Sequence, residues 1–186
     1  MPTRIEDWDQ RYRAGEQVFE TPAPLVVEFT KTLLPGAALD LASGPGRNAL
    51  YLAERGWRVT ALDGSPVAIQ LLRGKEPSID ARVVDLEAGE LELGSEAYHL
   101  VLSCYYFQRS LIPSMQSALR PGGLLIVMAH LADGGTPTRA YPGELRALFE
   151  GWRILHYREG QPGESCHRHA VAELVALKQD RESPIV

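Results

Sequence analysis

The sequence predicts an α/β protein: a doubly wound, Rossmann-like, mostly parallel sheet of seven strands with helices on both faces and an antiparallel hairpin at its C-terminal end. Three observations carry this reading. From residue 37 onward, short apolar runs alternate with stretches of helical periodicity, and a helical crossover between strands makes them parallel. The first apolar run stops at a small-residue loop, ASGPGRNA over 42–49, that opens directly into a helical pattern. The last two apolar runs, 152–159 and 168–177, are joined by a turn-rich segment with no crossover helix, so they must pair antiparallel.

The elements follow in order. Residues 1–24 are polar and aromatic, with Trp8, Tyr12 and Phe19 and no strand pattern, and read as an arm that orders over a ligand. Residues 25–34 form a helix stopped by Pro35-Gly36. AALDLA (37–42) is a buried strand, and RNALYLAER (47–55) is a helix with Ala49, Leu52 and Ala53 on one face and Gly56 as its stop. WRVTALD (57–63) is a strand, and SPVAIQLLRG (65–74) is a helix with Ser65 as N-cap and Pro66 at its first position. IDARVVD (79–85) is a strand, while the acidic segment 86–97 reads as loop with at most one helical turn. YHLVLSC (98–104) is a strand and RSLIPSMQSALR (109–120) a helix; PGG (121–123) then turns into the strand LLIVMAH (124–130). PGELRALFEG (142–151) is the last helix before the terminal hairpin.

At 186 residues the chain reads as one domain, with 1–24 as arm or lid, 25–177 as core and 178–186 as tail. A net charge of −5 with no Lys/Arg block argues against nucleic acid or an anionic membrane as the main partner. No apolar run approaches the roughly 20 residues that span a bilayer, and the N-terminus has no apolar core of a secretory signal. Cys104 and Cys166 are far apart without metal or redox spacing, which suits a reducing cytoplasm. The expectation is a cytoplasmic monomer or homodimer acting on a small molecule.

The 42–49 loop fits two nucleotide templates. Gly44, Gly46 and Ala49 satisfy G-x-G-x-x-A, the dinucleotide pattern. Asp40, Ala42, Gly44 and Gly46 satisfy D-x-[GA]-x-G-x-G, the first motif of S-adenosylmethionine-dependent methyltransferases. Asp40 stands at the strand end ahead of the glycines. A fixed carboxylate there repels a pyrophosphate, yet it suits the amino group and sulfonium of S-adenosylmethionine. Asp63 ends the second strand 17 residues after Gly46, where an acid accepts hydrogen bonds from ribose hydroxyls in either case. The terminal hairpin sides with the methyltransferase. An NAD(P)-dependent oxidoreductase and a noncatalytic S-adenosylmethionine-binding module are the competing readings.

The stretch LDLASGPGRNALYLAERGWRVTALDGSP resembles class I S-adenosylmethionine-dependent methyltransferases, as does LRPGGLLIVMAH with its L-x-PGG turn. The lead-in WDQRYRAGEQVF resembles the small tellurite-resistance and thiol-methyltransferase-like branch, and the likeness runs over roughly residues 5–177. The resemblance implies S-adenosylmethionine as cofactor, an aromatic N-terminus folded over it, and Asp85 at the adenine edge. Ala42 stands where glycine is commonest in the family. Gly44 and Gly46 are expected to let the backbone approach the cofactor, beside Asp63 and Gly64, so that a side chain at Gly46 would meet the ligand.

Residues at the end of the fourth strand, Ser103, Cys104, Tyr105 and Tyr106, are expected to face the methyl group; the two tyrosines otherwise read as packed aromatics. Cys104 reads as a small buried filler ahead of a nucleophile. His130 ends the fifth strand and is the best-placed base, the alternative being a structural histidine. Trp8 and Tyr12, four residues apart, either clamp the cofactor or pin the arm, and Arg47 either meets the cofactor carboxylate or caps an acid. Cys166, His167 and His169 read as a solvated edge strand ahead of a metal site, and no metal is assigned. A thiolate acceptor needs no base, whereas a hydroxyl or amine does, so a missing triad does not count against methyl transfer.

Overall fold

The computed structural model describes residues 5–16, 19–88, 91–132, 138–163 and 169–179. Its centre is a seven-stranded sheet: β1 (Ala37–Leu41), β2 (Arg58–Asp63), β3 (Asp80–Val83), β4 (Tyr98–Cys104), β5 (Leu119–His130), β6 (Arg153–Gly160) and β7 (Val171–Leu177), ordered β3-β2-β1-β4-β5-β7-β6. The first five strands are parallel, and β7 inserts antiparallel between β5 and β6. The expected hairpin therefore forms, and its second strand is the one that joins the sheet.

The helices are α1 (Ile5–Arg13), α2 (Pro24–Thr30), α3 (Arg47–Ala53), α4 (Pro66–Lys75), α5 (Ile112–Ala118) and α6 (Glu144–Ala147). One face of the sheet buries Leu52, Ile69 and Leu72 of α3 and α4 together with Val26 of α2. The other buries Met115 of α5 and Leu145 of α6 against Leu39, Val101 and Val127. Burial on both faces is why the strands read as continuous apolar runs. Among the described residues no helix is long and apolar enough to cross a membrane.

Several boundaries differ from the sequence reading: α2 stops at Thr30, β3 stops at Val83 so that Asp85 lies beyond its end, and β7 starts at Val171. The helix expected over 109–120 opens as a 3-10 turn, Arg109–Leu111, before α5. The turn expected at PGG instead lies within β5: Tyr98 pairs with Leu119 and Leu100 with Leu124, so the extra residues bulge out, with Gly122 at a φ of 71°. The helix expected over 142–151 keeps α-geometry only for α6. Gly143 enters it at a φ of 79°, and beyond Ala147 the chain closes Phe149 N–H to Arg146 O and Glu150 N–H to Ala147 O, the three-residue spacing of a 3-10 turn.

A candidate active site at the carboxyl ends of the strands

The strand order reverses at β1, whose neighbours are β2 and β4. Ligands of open α/β sheets sit outside the carboxyl ends at such a point. A cavity of about 410 Å³ lies there, within the range of small-molecule sites. Its wall takes in Ala42, Gly44 and Arg47 after β1, Asp63 and Gly64 after β2, Asp85 to Glu87 after β3, and Cys104 to Tyr106 after β4. The roof is α1 and the chain behind it, through Ile5, Glu6, Trp8, Tyr12 and Phe19.

The loop after β1 is held from behind by Asp63. Gly44 N–H donates to Asp63 Oδ2 at 2.7 Å and Ser65 N–H donates to Oδ1 at 2.8 Å. Burial pushes the Asp63 carboxyl above the usual carboxylate range, against the pull of these two amides. Ala42 and Gly44 both have a positive φ, 53° and 55°. That conformation favours glycine, and alanine at position 42 costs about 1–2 kcal/mol of backbone strain.

Gly46 departs from expectation. It is not on the cavity wall. A Cβ there would stand 2.3 Å from Leu72 Cδ1 of α4, so the missing side chain at Gly46 lets the start of α3 pack against α4. Gly44 is the glycine that faces the cavity, 3.1 Å from the Tyr12 hydroxyl at its Cβ position.

Asp40 also lies off the wall, buried beneath the loop at 1% exposure. Its Oδ2 has no hydrogen-bond partner among the described residues. Burial pushes its carboxyl up to about 7, with Arg47 pulling the other way and Asp63 adding to the rise. The folded state thus holds a proton that the unfolded chain loses near pH 4, and stability falls as pH rises from about 4 to about 7. Asp40→Asn removes the ionisation. Its melting temperature relative to the unmodified protein should climb across that window, and a difference independent of pH would contradict the assignment.

The two tyrosines after β4 part company. Tyr105 adopts a φ of 62° and donates its N–H to Met128 O at 2.8 Å. Its ring packs 5.5 Å from the His130 ring. The Arg47 guanidinium lies over Tyr105 at 5.5 Å and over Phe19 at 5.4 Å, so Arg47 joins the arm to the end of β4. Tyr106 turns to the other side; its hydroxyl is enclosed without a partner among the described residues, and burial followed by the charges of Glu87, Asp85 and Asp63 raises its pKa. Ser103 is not on the wall either: its hydroxyl donates to Tyr106 O at 2.9 Å and fixes this turn. His130 is likewise off the wall, with Tyr105 on one side and His169, 6.0 Å between ring centres, on the other.

Several wall residues were not singled out individually by the sequence. Phe19 lies in an aperiodic arm, and Leu86 and Glu87 sit in an acidic loop whose Glu87 N–H is turned onto Asp85 Oδ1 at 2.9 Å. Asn48 spends its Oδ1 on Ala23 N–H, 25 residues away, at 2.9 Å. Among the described residues no group of three or more His, Cys, Asp or Glu is arranged to hold a metal ion; Cys166 and His167 lie outside those residues.

A family profile described as "Tellurite resistance protein TehB" matches residues 10–177. The chain belongs to the TehB family. A probable S-adenosyl-L-methionine-dependent methyltransferase TehB of Haemophilus influenzae (strain 10810) is 28% identical over 151 residues, covering 72% of this chain and 52% of that protein. The chain spans about half the length of the first curated relatives it matches. The crystal structure of TehB from Haemophilus influenzae aligns with a TM-score of 0.75 at 22% identity, over 92% of this chain and 67% of that one. A structure reported for the conversion of a disulfide bond into a thioacetal group during echinomycin biosynthesis aligns with a TM-score of 0.72 at 24% identity, over 96% and 93%. These likenesses show that the TehB-family chain has the Rossmann-like methyltransferase fold with its antiparallel β7.

Proposed function

We propose that the protein binds S-adenosylmethionine in this cavity and transfers its methyl group to a small-molecule acceptor whose nucleophile is sulfur or another chalcogen. The observation that carries the reading is the cradle itself: loop backbone at Gly44 lining the cavity, beside a buried carboxylate at Asp63 and under an aromatic roof. When bound, the cofactor supplies a methyl carbon activated by its sulfonium, and the protein's share is to place the reactants in line. Asp63 keeps lone pairs for the ribose hydroxyls, Asp85 stands at the adenine edge, and the stacked rings of Trp8 and Tyr12, 5.7 Å apart, cover the ligand. Gly46, Ser103 and Asp40 support the cradle from behind.

The chalcogen reading is supported by what stands at the end of β4. The carboxylates of the wall, Glu6, Asp63, Asp85 and Glu87, come from α1 and from the ends of β2 and β3. Beside β4 the wall offers Cys104, Tyr106 and Tyr105 with Arg47 over its ring, and no histidine among the described lining residues. A nucleophile that sheds its proton to water suits this corner; an alcohol or amine needs a base. Sulfur chemistry in the echinomycin-pathway neighbour is compatible with the reading.

The test is a panel of thiol, selenol, hydroxyl and amine acceptors. Thiols should be methylated fastest, with a rate that rises toward the acceptor's own pKa, and His130→Ala should change it less than about threefold. A loss of about a hundredfold in His130→Ala would instead mark general-base catalysis and overturn the chalcogen assignment.

A further inference from the structure

The roof helix α1 is held by an unusual anchor. It is a polar nine-residue helix, and its apolar lead residue Ile5 is 37% exposed. Yet it buries the carboxylate of Asp9, at 9% exposure. Burying a charge on an otherwise polar surface helix is unfavourable unless something meets it. Here Asp9 Oδ1 accepts the hydroxyl of Ser65, and Arg13, one turn on, stands 3.7 Å from Oδ2.

Ser65 is not a passive partner. It caps α4, its Oγ accepting Ala68 N–H at 3.0 Å, and its own N–H binds Asp63 Oδ1 at 2.8 Å. Asp63 Oδ2 in turn holds Gly44 N–H at 2.7 Å. One run of hydrogen bonds therefore leads from the roof helix through the start of α4 and the end of β2 to the glycine loop. The same helix carries Trp8 and Tyr12 over the cavity.

We infer that Asp9 is a positioning residue: its hydrogen bond to Ser65 latches α1 over the cavity, and the latch sets how long the cofactor stays bound. A polar anchor suits this task because water can replace it when the helix lifts, whereas an apolar one would resist opening. Coupling through Ser65 and Asp63 ties closure of the roof to the order of the loop beneath it. The inference rests on the S-adenosylmethionine reading of the site.

The experiment measures dissociation of S-adenosylhomocysteine by stopped flow from the intact chain and from Asp9→Ala, Asp9→Asn, Ser65→Ala and the double alanine variant, with a thermal melt of each. Asp9→Ala should release the ligand about tenfold faster, the scale of one hydrogen bond to a charged group. Its melting temperature should stay near that of the parent. Asp9→Asn, whose amide oxygen still accepts the Ser65 hydroxyl, should remain within about threefold of the parent rate. Ser65→Ala should match Asp9→Ala in rate but melt lower, because it also removes the α4 cap, and the double variant should be no faster than the single ones. Parent-like release from Asp9→Ala, multiplying effects in the double variant, or a chain that no longer folds without the Asp9 carboxylate would each overturn the latch. If the parent itself fails to bind S-adenosylhomocysteine, the cofactor reading falls first and the latch with it.

Discussion

Gly46→Val should strip the protein of much of its stability while telling little about the ligand. Gly46 precedes α3 at a φ of 91°, a conformation that L side chains rarely adopt. Its added Cβ would stand 2.3 Å from Leu72 Cδ1 and 3.0 Å from Cδ2, and Leu72 is completely buried. Left-handed strain costs about 1–2 kcal/mol and rises for a β-branched residue. Overpacking adds about 1–3 kcal/mol. Against a typical stability of about 5–15 kcal/mol, the sum should lower the melting temperature on the order of 10 °C. Shortening Leu72 to alanine in a Gly46→Ala background should relieve the clash while leaving the backbone strain. A valine variant that melts normally but has lost the cofactor would contradict the packing role and restore Gly46 to the cavity wall.

Asp63→Ala should weaken cofactor binding by about a hundredfold or more, because one side chain serves three masters. It holds Gly44 N–H and Ser65 N–H, and in the proposed complex it also meets the ribose. Hydrogen bonds to a charged group contribute about 1.5–3 kcal/mol each, and here two of them shape the loop that the third depends on. Asparagine should fall between the two. Its amide turns an NH₂ toward one of two backbone donors, which spares one loop bond and breaks the other. Isothermal titration with S-adenosylhomocysteine reads the difference, and an effect below about threefold for alanine would remove Asp63 from the binding site.

Sequence pattern resolved those features that chain-local rules control. The strand over 98–104 is bounded as expected because an apolar run ends where the chain leaves the sheet. Ser65 caps α4 because a hydroxyl before Pro66 is the local solution to an open helix end. The strand-end positions of the glycine loop and Asp63 are legible because their spacing encodes strand, turn and helix together, whereas Asp85 entered only through the resemblance. What escaped was set by the third dimension. Nothing periodic announces that Phe19 reaches Arg47, or that Asp9 reaches Ser65 across 56 residues. The position of His130 at a strand end was legible, but not that the positive φ of Tyr105 would swing that ring onto it. Gly46 read as a ligand contact, and nothing in the spacing announced that α4 would bring Leu72 against it.

The central claim is that the cavity between the glycine loop and α1 is an S-adenosylmethionine site. Titration calorimetry of the intact chain with S-adenosylhomocysteine, and separately with NAD and NADP, tests it most directly. The account predicts saturable one-to-one binding of S-adenosylhomocysteine that Asp63→Ala abolishes or weakens about a hundredfold, and no heat of binding from either dinucleotide. Binding of a dinucleotide in preference to S-adenosylhomocysteine, or S-adenosylhomocysteine binding indifferent to Asp63, would contradict it.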